Sequence, residues 1–224
     1  MFPQQPQQQF RKAGADVQIF YGSGGTTAAQ CQRSWNKPKG VSHIYMMLIG
    51  GGAAGNGVDT GGGSGAVTVW YGAAQNVPDS LVVIASSIGA TFASTVSARV
   101  SNSVAIPTAL LTANSSTGTS GAAVTAVPLF AASGFYQSVA GQDGSTSVPR
   151  TASATTFLGG GGYGGPSTGN YGYITNTGAA TTGYFMLQPI IVGVGGAVGG
   201  QSAVGCGGGY NGTGGPGLVL IASW

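Results

Sequence analysis

The sequence predicts an all-β fold: a β-sandwich with long glycine-rich loops, a jelly roll being one form of it. Three observations lead there. Short runs rich in β-branched and aromatic residues are bounded by Gly, Pro, Asn or Ser. No window keeps an apolar period of 3.6 over three helical turns. Charged residues make up 5% of the chain, glutamate is absent, and Gly 44 and Pro 10 stand among 224 residues. A typical soluble domain carries about 25% charge. The hydrophobic fraction of 42%, mean hydropathy of +0.22 and formal charge of +3 argue for an ordered core, because disorder goes with low hydrophobicity and high net charge. The length suits one large domain, residues 16–224, preceded by an extended arm over residues 1–15.

The strands expected in order are "IYMMLI" (Ile44 to Ile49), "AVTVWY" (Ala66 to Tyr71), "SLVVIASS" (Ser80 to Ser87), "STVSARVSNSVAI" (Ser94 to Ile106) and "GLVLIASW" (Gly217 to Trp224). In "TVSARV" strict alternation puts Val96, Ala98 and Val100 on one face and Arg99 on the other. "IYMMLI" and "LVVIA" are apolar on both faces, as in strands covered on each side by a second sheet or another subunit.

"MMLIGGGAAGNG", Met46 to Gly57, carries Gly50, Gly52 and Gly55 at the spacing of a dinucleotide-binding loop. That site needs a helix opening at the third glycine and an acidic residue about 20 positions on. Here the loop runs into "NGVDTGGGSGAVTVWYG", whose interior glycines oppose a helix, and Asp59 comes too early and Asp79 too late. The glycine habit recurs at Gly159 to Gly162 and Gly205 to Gly217, which marks it as architectural. Glycine allows close backbone approach and turns with positive φ. Its runs can also stack as extended polyglycine strands with three residues per turn. The expectation is no cofactor.

Chemistry-bearing residues are few. The four carboxylates are Asp16, Asp59, Asp79 and Asp143, and the one histidine, His43, falls inside a strand without a nucleophile elbow. Asp79 in "NVPDS" and Asp143 in "GQDGS" fit turns. Cys31 and Cys206 are read as small half-buried thiols, with a disulfide as the alternative. No metal site and no catalytic residue is expected. The seven basic residues are scattered from Arg11 to Arg150, so no specific nucleic-acid footprint appears. The longest apolar runs fall far short of the ~20 residues a bilayer span needs. "MFPQQPQQQFRKAG" lacks the apolar stretch of a signal peptide, which points to synthesis in a cytoplasm.

Several stretches carry a likeness: "WNKPKGVSHIYMMLIGGGAAGNG", "GGGSGAVTVWYG", "NVPDSLVVIASSIGA", "TGYFMLQP" and "GCGGGYNGTGGPGLVLIASW". In order and spacing these resemble the glycine-rich virion-associated proteins of phages and environmental viruses. The family's Trp-x-x-Pro-x-Gly opening matches Trp35, Pro38 and Gly40, its Pro-Asp strand start matches Pro78, Asp79 and Leu81, and its terminal strand matches Gly217 to Trp224. The likeness covers about two thirds of the chain; residues 90–155 have no counterpart. It implies a structural or host-contacting part of a virion.

The expectation is therefore a non-enzymatic, self-assembling virion subunit (coat, vertex, spike or decoration) made in the host cytoplasm, whose partners are copies of itself and other virion proteins. Low charge gives weak protection against self-association, and the "PQQPQQQF" arm could lace neighbours. Trp35, Pro38, Gly40, Asp79 and Trp224 are the expected structural anchors. The alternative is a tail-fibre or adhesin tip binding a host surface receptor or glycan through Tyr163, Tyr171, Tyr173 and Tyr210, whose bland reading is turn anchors. A glycine-rich extracellular matrix protein is disfavoured by the missing export signal.

Overall fold

The computed structural model describes residues 15–22, 25–55, 61–87, 92–99, 108–144, 204–208 and 212–224. Within them lie strands β1 (Asp16–Tyr21), β2 (Gln32–Asn36), β3 (His43–Ile49), β4 (Val67–Ala73), β5 (Ser80–Ile84), β6 (Ser94–Ala98), β7 (Ala109–Ala113), β8 (Gly134–Val139) and β9 (Leu218–Ser223). Helix among the described residues is confined to short 3₁₀ turns at Ala28–Cys31, Ala74–Asn76 and Leu129–Ser133. The strands form two antiparallel sheets packed against each other, the sandwich expected. One is five-stranded, ordered β1-β9-β3-β4-β8; the other is four-stranded, ordered β2-β5-β6-β7. β3 and β4 are direct neighbours and β5, β6 and β7 run as a meander. This connectivity differs from the paired Greek keys of a jelly roll. Residues 1–14 of the expected arm lie outside the described residues.

Alternation builds the core. From the five-stranded sheet Ile44, Met46, Leu48, Trp70, Val219 and Ile221 face inward, and they meet Trp35, Leu81, Val83, Val96 and Leu111 of the other sheet. Each such burial is worth about 1.5–3 kcal/mol against leaving the side chain in water. The odd positions of β3 and the matching ones of β4 and β9 form a second buried cluster on the outer face: Met47, Ile49, Val67, Leu218, Leu220 and Ala222. β3 is therefore apolar on both faces, as its sequence predicts. β5 is shorter than expected, ending at Ile84, and its outward Val82 is half-buried. The strand expected over Ser94 to Ile106 stops at Ala98; Val96 is buried, Ala98 half-buried and Arg99 exposed, while Val100 lies outside the described residues.

Buried hydroxyls fasten the sheets together. Ser94 Oγ donates to the Ile49 carbonyl at 2.7 Å and accepts the Ser86 amide at 3.0 Å, joining the end of β3 to the start of β6. Thr68 Oγ1 on β4 donates to the Thr112 carbonyl on β7 at 2.7 Å. Each bond leaves no backbone group stranded where the strands run out into glycine.

Candidate functional site: a polyglycine bundle and an aromatic end

Past the Ile49 end of β3 the chain leaves sheet geometry. Segment 61–66 shows what replaces it. The amides of Gly62 and Gly65 donate to Gly208 and Gly205 at 2.7 and 2.8 Å; those of Gly63 and Ala66 donate to Gly118 and Asn114 at 2.8 and 2.9 Å; that of Ser64 donates to Gln142 at 2.9 Å. The partner segment recurs at every third residue, the repeat of an extended three-residue helix. The carbonyls of Gly63 and Ala66 accept from Ala53 and Gly50 at 3.0 and 2.9 Å, again three residues apart. A β-strand bonds on two sides, whereas this segment is held by 50–55, 114–122, 141–144 and 204–208 together. Segment 212–217 joins the set through Gly52 to Gly215 at 2.9 Å and Gly55 to Gly212 at 3.1 Å.

Such packing explains the glycine. A Cβ placed on Gly62, Gly63 or Gly65 would come nearer than 3.0 Å to the backbone of Ala53, Ser120 or Gly50. Of the described glycines only Gly40 and Gly205 have positive φ, at 81° and 70°, so apart from Gly205 the bundle's requirement is space. The polyglycine stacking that such runs can adopt is seen in segments 50–55 and 61–65. Asp143 serves it too, its Oδ1 accepting the Gly121 amide at 2.7 Å. The described chain stops at Gly55, Gly144 and Gly208 and resumes at Gly61, Val204 and Gly212.

A groove of about 490 Å³ runs beside the bundle, lined by Ala93 and residues 114–123. Its inner hydroxyls are already engaged: Ser115 Oγ donates to Phe92 at 2.8 Å while accepting the Gly51 amide, and Ser116 Oγ donates to Ser120 at 2.7 Å. They hold the bundle together.

At the opposite end of the five-stranded sheet stand His43, Tyr71 and Trp224. Their ring centroids are 5.7, 5.9 and 6.3 Å apart and their planes lie within 21° of one another. A column of three rings would separate its outer pair by twice the spacing, so these rings form a triangle on the outer face. Trp224 is pinned: its carbonyl accepts the amides of Ser42 and His43 at 2.7 and 3.0 Å and the Ser42 hydroxyl at 3.2 Å, and its amide donates to His43 at 3.1 Å. Ser42 Oγ also lies 3.0 Å from His43 Nδ1. Among the described residues no carboxylate is recorded on the other ring nitrogen. Tyr45, beside them on β3, has its phenol pushed up to about 12 by burial.

The expected anchors have distinct places. Trp35 is buried in the inner core. The Trp-x-x-Pro-x-Gly stretch crosses from β2 in one sheet to β3 in the other, and Gly40 takes the left-handed conformation that turn needs. Asp79 does more than turn the chain: Lys37 Nζ reaches its Oδ1 at 2.8 Å and also donates to the Ala74 and Val77 carbonyls, tying the crossover to the stretch before β5. Trp224 follows β9, which lies between β1 and β3. Cys31 and Cys206 are buried thiols, not a disulfide. Tyr163, Tyr171, Tyr173 and Tyr210, like Asp59, lie outside the described residues. His43, Tyr71 and Ser42 gather around Trp224 without any sequence signal to announce it, since together with Trp224 they come from three separated segments. Among the described residues no helix is long and apolar enough to cross a membrane, and no group of three His, Cys, Asp or Glu could hold a metal.

Neither a protein-family model nor a curated protein matches this chain.

Proposed function

We propose that the protein is a non-enzymatic structural subunit of a virus or phage particle, a coat, vertex, spike or decoration component that assembles with copies of itself and with other virion proteins. The observation that carries this reading is apolar surface on a charge-poor sandwich: Leu129 is 98% exposed, Val127 72%, Phe135 60%, Trp224 39% and Tyr71 37%. Exposed apolar surface of this kind seeks a partner, and few charges oppose association of like with like. The backbone-bonded glycine bundle suits a rigid scaffold, and the likeness to glycine-rich virion-associated proteins names the setting.

A second reading, a tail-fibre or adhesin tip binding a host receptor or glycan, is favoured by one feature. The bundle, held by hydrogen bonds among several backbone segments, is a stiff platform of the kind that presents binding loops, and Tyr163, Tyr171, Tyr173 and Tyr210 would be the contacts.

Negative-stain electron microscopy with light-scattering mass, on the chain with and without residues 1–14, separates the two. Shells or lattices lost on deletion mean a coat laced by its arm. Small oligomers indifferent to deletion favour a spike, decoration or tip. A strictly monomeric chain overturns the self-assembly reading.

A further inference from the structure

A sandwich has four sheet edges, and an unpaired edge is a template for another strand unless something guards it. Three of these edges are guarded. β1 carries Asp16. β2 carries exposed Arg33, and Arg99, just past β6, reaches its Ser34 from across β5 at 3.3 Å. β7 is followed closely by the 123–125 stretch, through Thr125 Oγ1 to the Thr112 carbonyl at 3.4 Å and Asn114 Nδ2 to the Ala123 carbonyl at 2.9 Å. β8, Gly134–Val139, has none of these devices. It pairs with β4 alone, in unbroken register from Val67↔Val139 to Gly72↔Gly134, and no described residue bonds its other side. It contains no charge and no proline. Gly134, Phe135 and Gln137 are exposed, and just upstream are exposed Leu129 and Val127.

We propose that β8 is a homotypic assembly edge: β8 of one copy pairs antiparallel with β8 of a second copy about a two-fold axis, merging their five-stranded sheets. Charge selects the partner. No charged residue occurs between Ala122 and Gln142, so identical surfaces meet there without like-charge repulsion, and a charged partner would find nothing to pair with. Apolar side chains beside the edge, Phe135 and Leu129 above all, are brought together by the same axis. The contact is isologous, so it closes at two copies and leaves the glycine bundles free. Pairing of β8 with β1 would instead run on as an open filament, and it would set Asp16 against an uncharged strand.

This inference rests on the self-assembly proposed above. The test is sedimentation equilibrium of the full chain, wild type against Phe135→Lys/Gln137→Lys, with circular dichroism as a check on folding. Both side chains are exposed, so folding survives, while lysines opposed across the axis repel. The expected result is self-association weakened by roughly tenfold or more, and association restored when the Gln137→Lys and Gln137→Glu variants are mixed. A wild type that associates and a lysine variant that associates equally well overturn the β8 pairing and spare the assembly reading. A monomeric wild type overturns both. As a second variant, Gln137→Cys yields a cross-linked dimer on mild oxidation if the strands adjoin, and its failure to cross-link in an associating protein also overturns the pairing.

Discussion

Gly63 donates its amide to the carbonyl of Gly118 at 2.8 Å, yet the two glycines meet opposite demands. A Cβ on Gly63 would press on the backbone of Ser120, whereas one on Gly118 would meet nothing within 4 Å. Gly63→Ala is therefore expected to lower stability by about 1–3 kcal/mol, the usual cost of overpacking. Gly118→Ala should be neutral or stabilising by about 0.4–1 kcal/mol through a less free unfolded chain. Thermal unfolding of the two variants checks this; equal behaviour would remove the claim that space dictates the bundle's glycine.

Ser94→Ala removes one hydroxyl from a seam and strands two backbone groups, the Ile49 carbonyl and the Ser86 amide. A buried group left without a partner costs about 1–3 kcal/mol. The loss should show in urea unfolding as a lower midpoint with an unchanged slope.

Burial holds the Tyr45 phenol at about 12, above its ordinary 10.0. The folded state keeps this proton where the unfolded state releases it. The resulting stability is fully present below pH 10 and is lost as pH rises towards 12. Tyr45→Phe should flatten that part of the alkaline unfolding curve, and an unchanged curve would assign the alkaline loss to other groups.

Deleting Trp224 withdraws the carbonyl that satisfies Ser42 and His43 and uncovers the rings of His43 and Tyr71. Because β9 is an inner strand of its sheet, the expected outcome is frayed pairing of β9 with β3 and aggregation, read by light scattering during expression and heating. A soluble and normally assembled truncation would count against this role.

Tyr136 and Trp70 face each other across β8 and β4, and the Tyr136 hydroxyl and Trp70 Nε1 are buried without a hydrogen-bond partner among the described residues. Tyr136→Phe should thus cost nothing or raise stability, since it removes a desolvated polar atom. A destabilised variant would reveal a partner for that hydroxyl.

The sequence by itself determined the sandwich, the inner strands and the purpose of the glycine. β3, β4 and β9 are legible because strands buried on both faces must be continuously apolar, and "IYMMLI" and "LVLIA" admit no other reading beside so many helix breakers. The missed strands were β1 "DVQIFY", β2 "QRSWN", β7 "ALLTA" and β8 "GFYQSV". All four are edges, where one side of the ladder faces away from the sheet and mixed polarity hides the pattern. Only the tertiary structure decided which glycine segments bond, because glycine has no side chain to encode a partner and the choice among near-identical rods follows from where β3, β4 and β9 deliver them. The same reason placed His43 and Tyr71 beside Trp224 and put β8 at the end of its sheet among the described strands, since register and strand order are properties of the packed sheets.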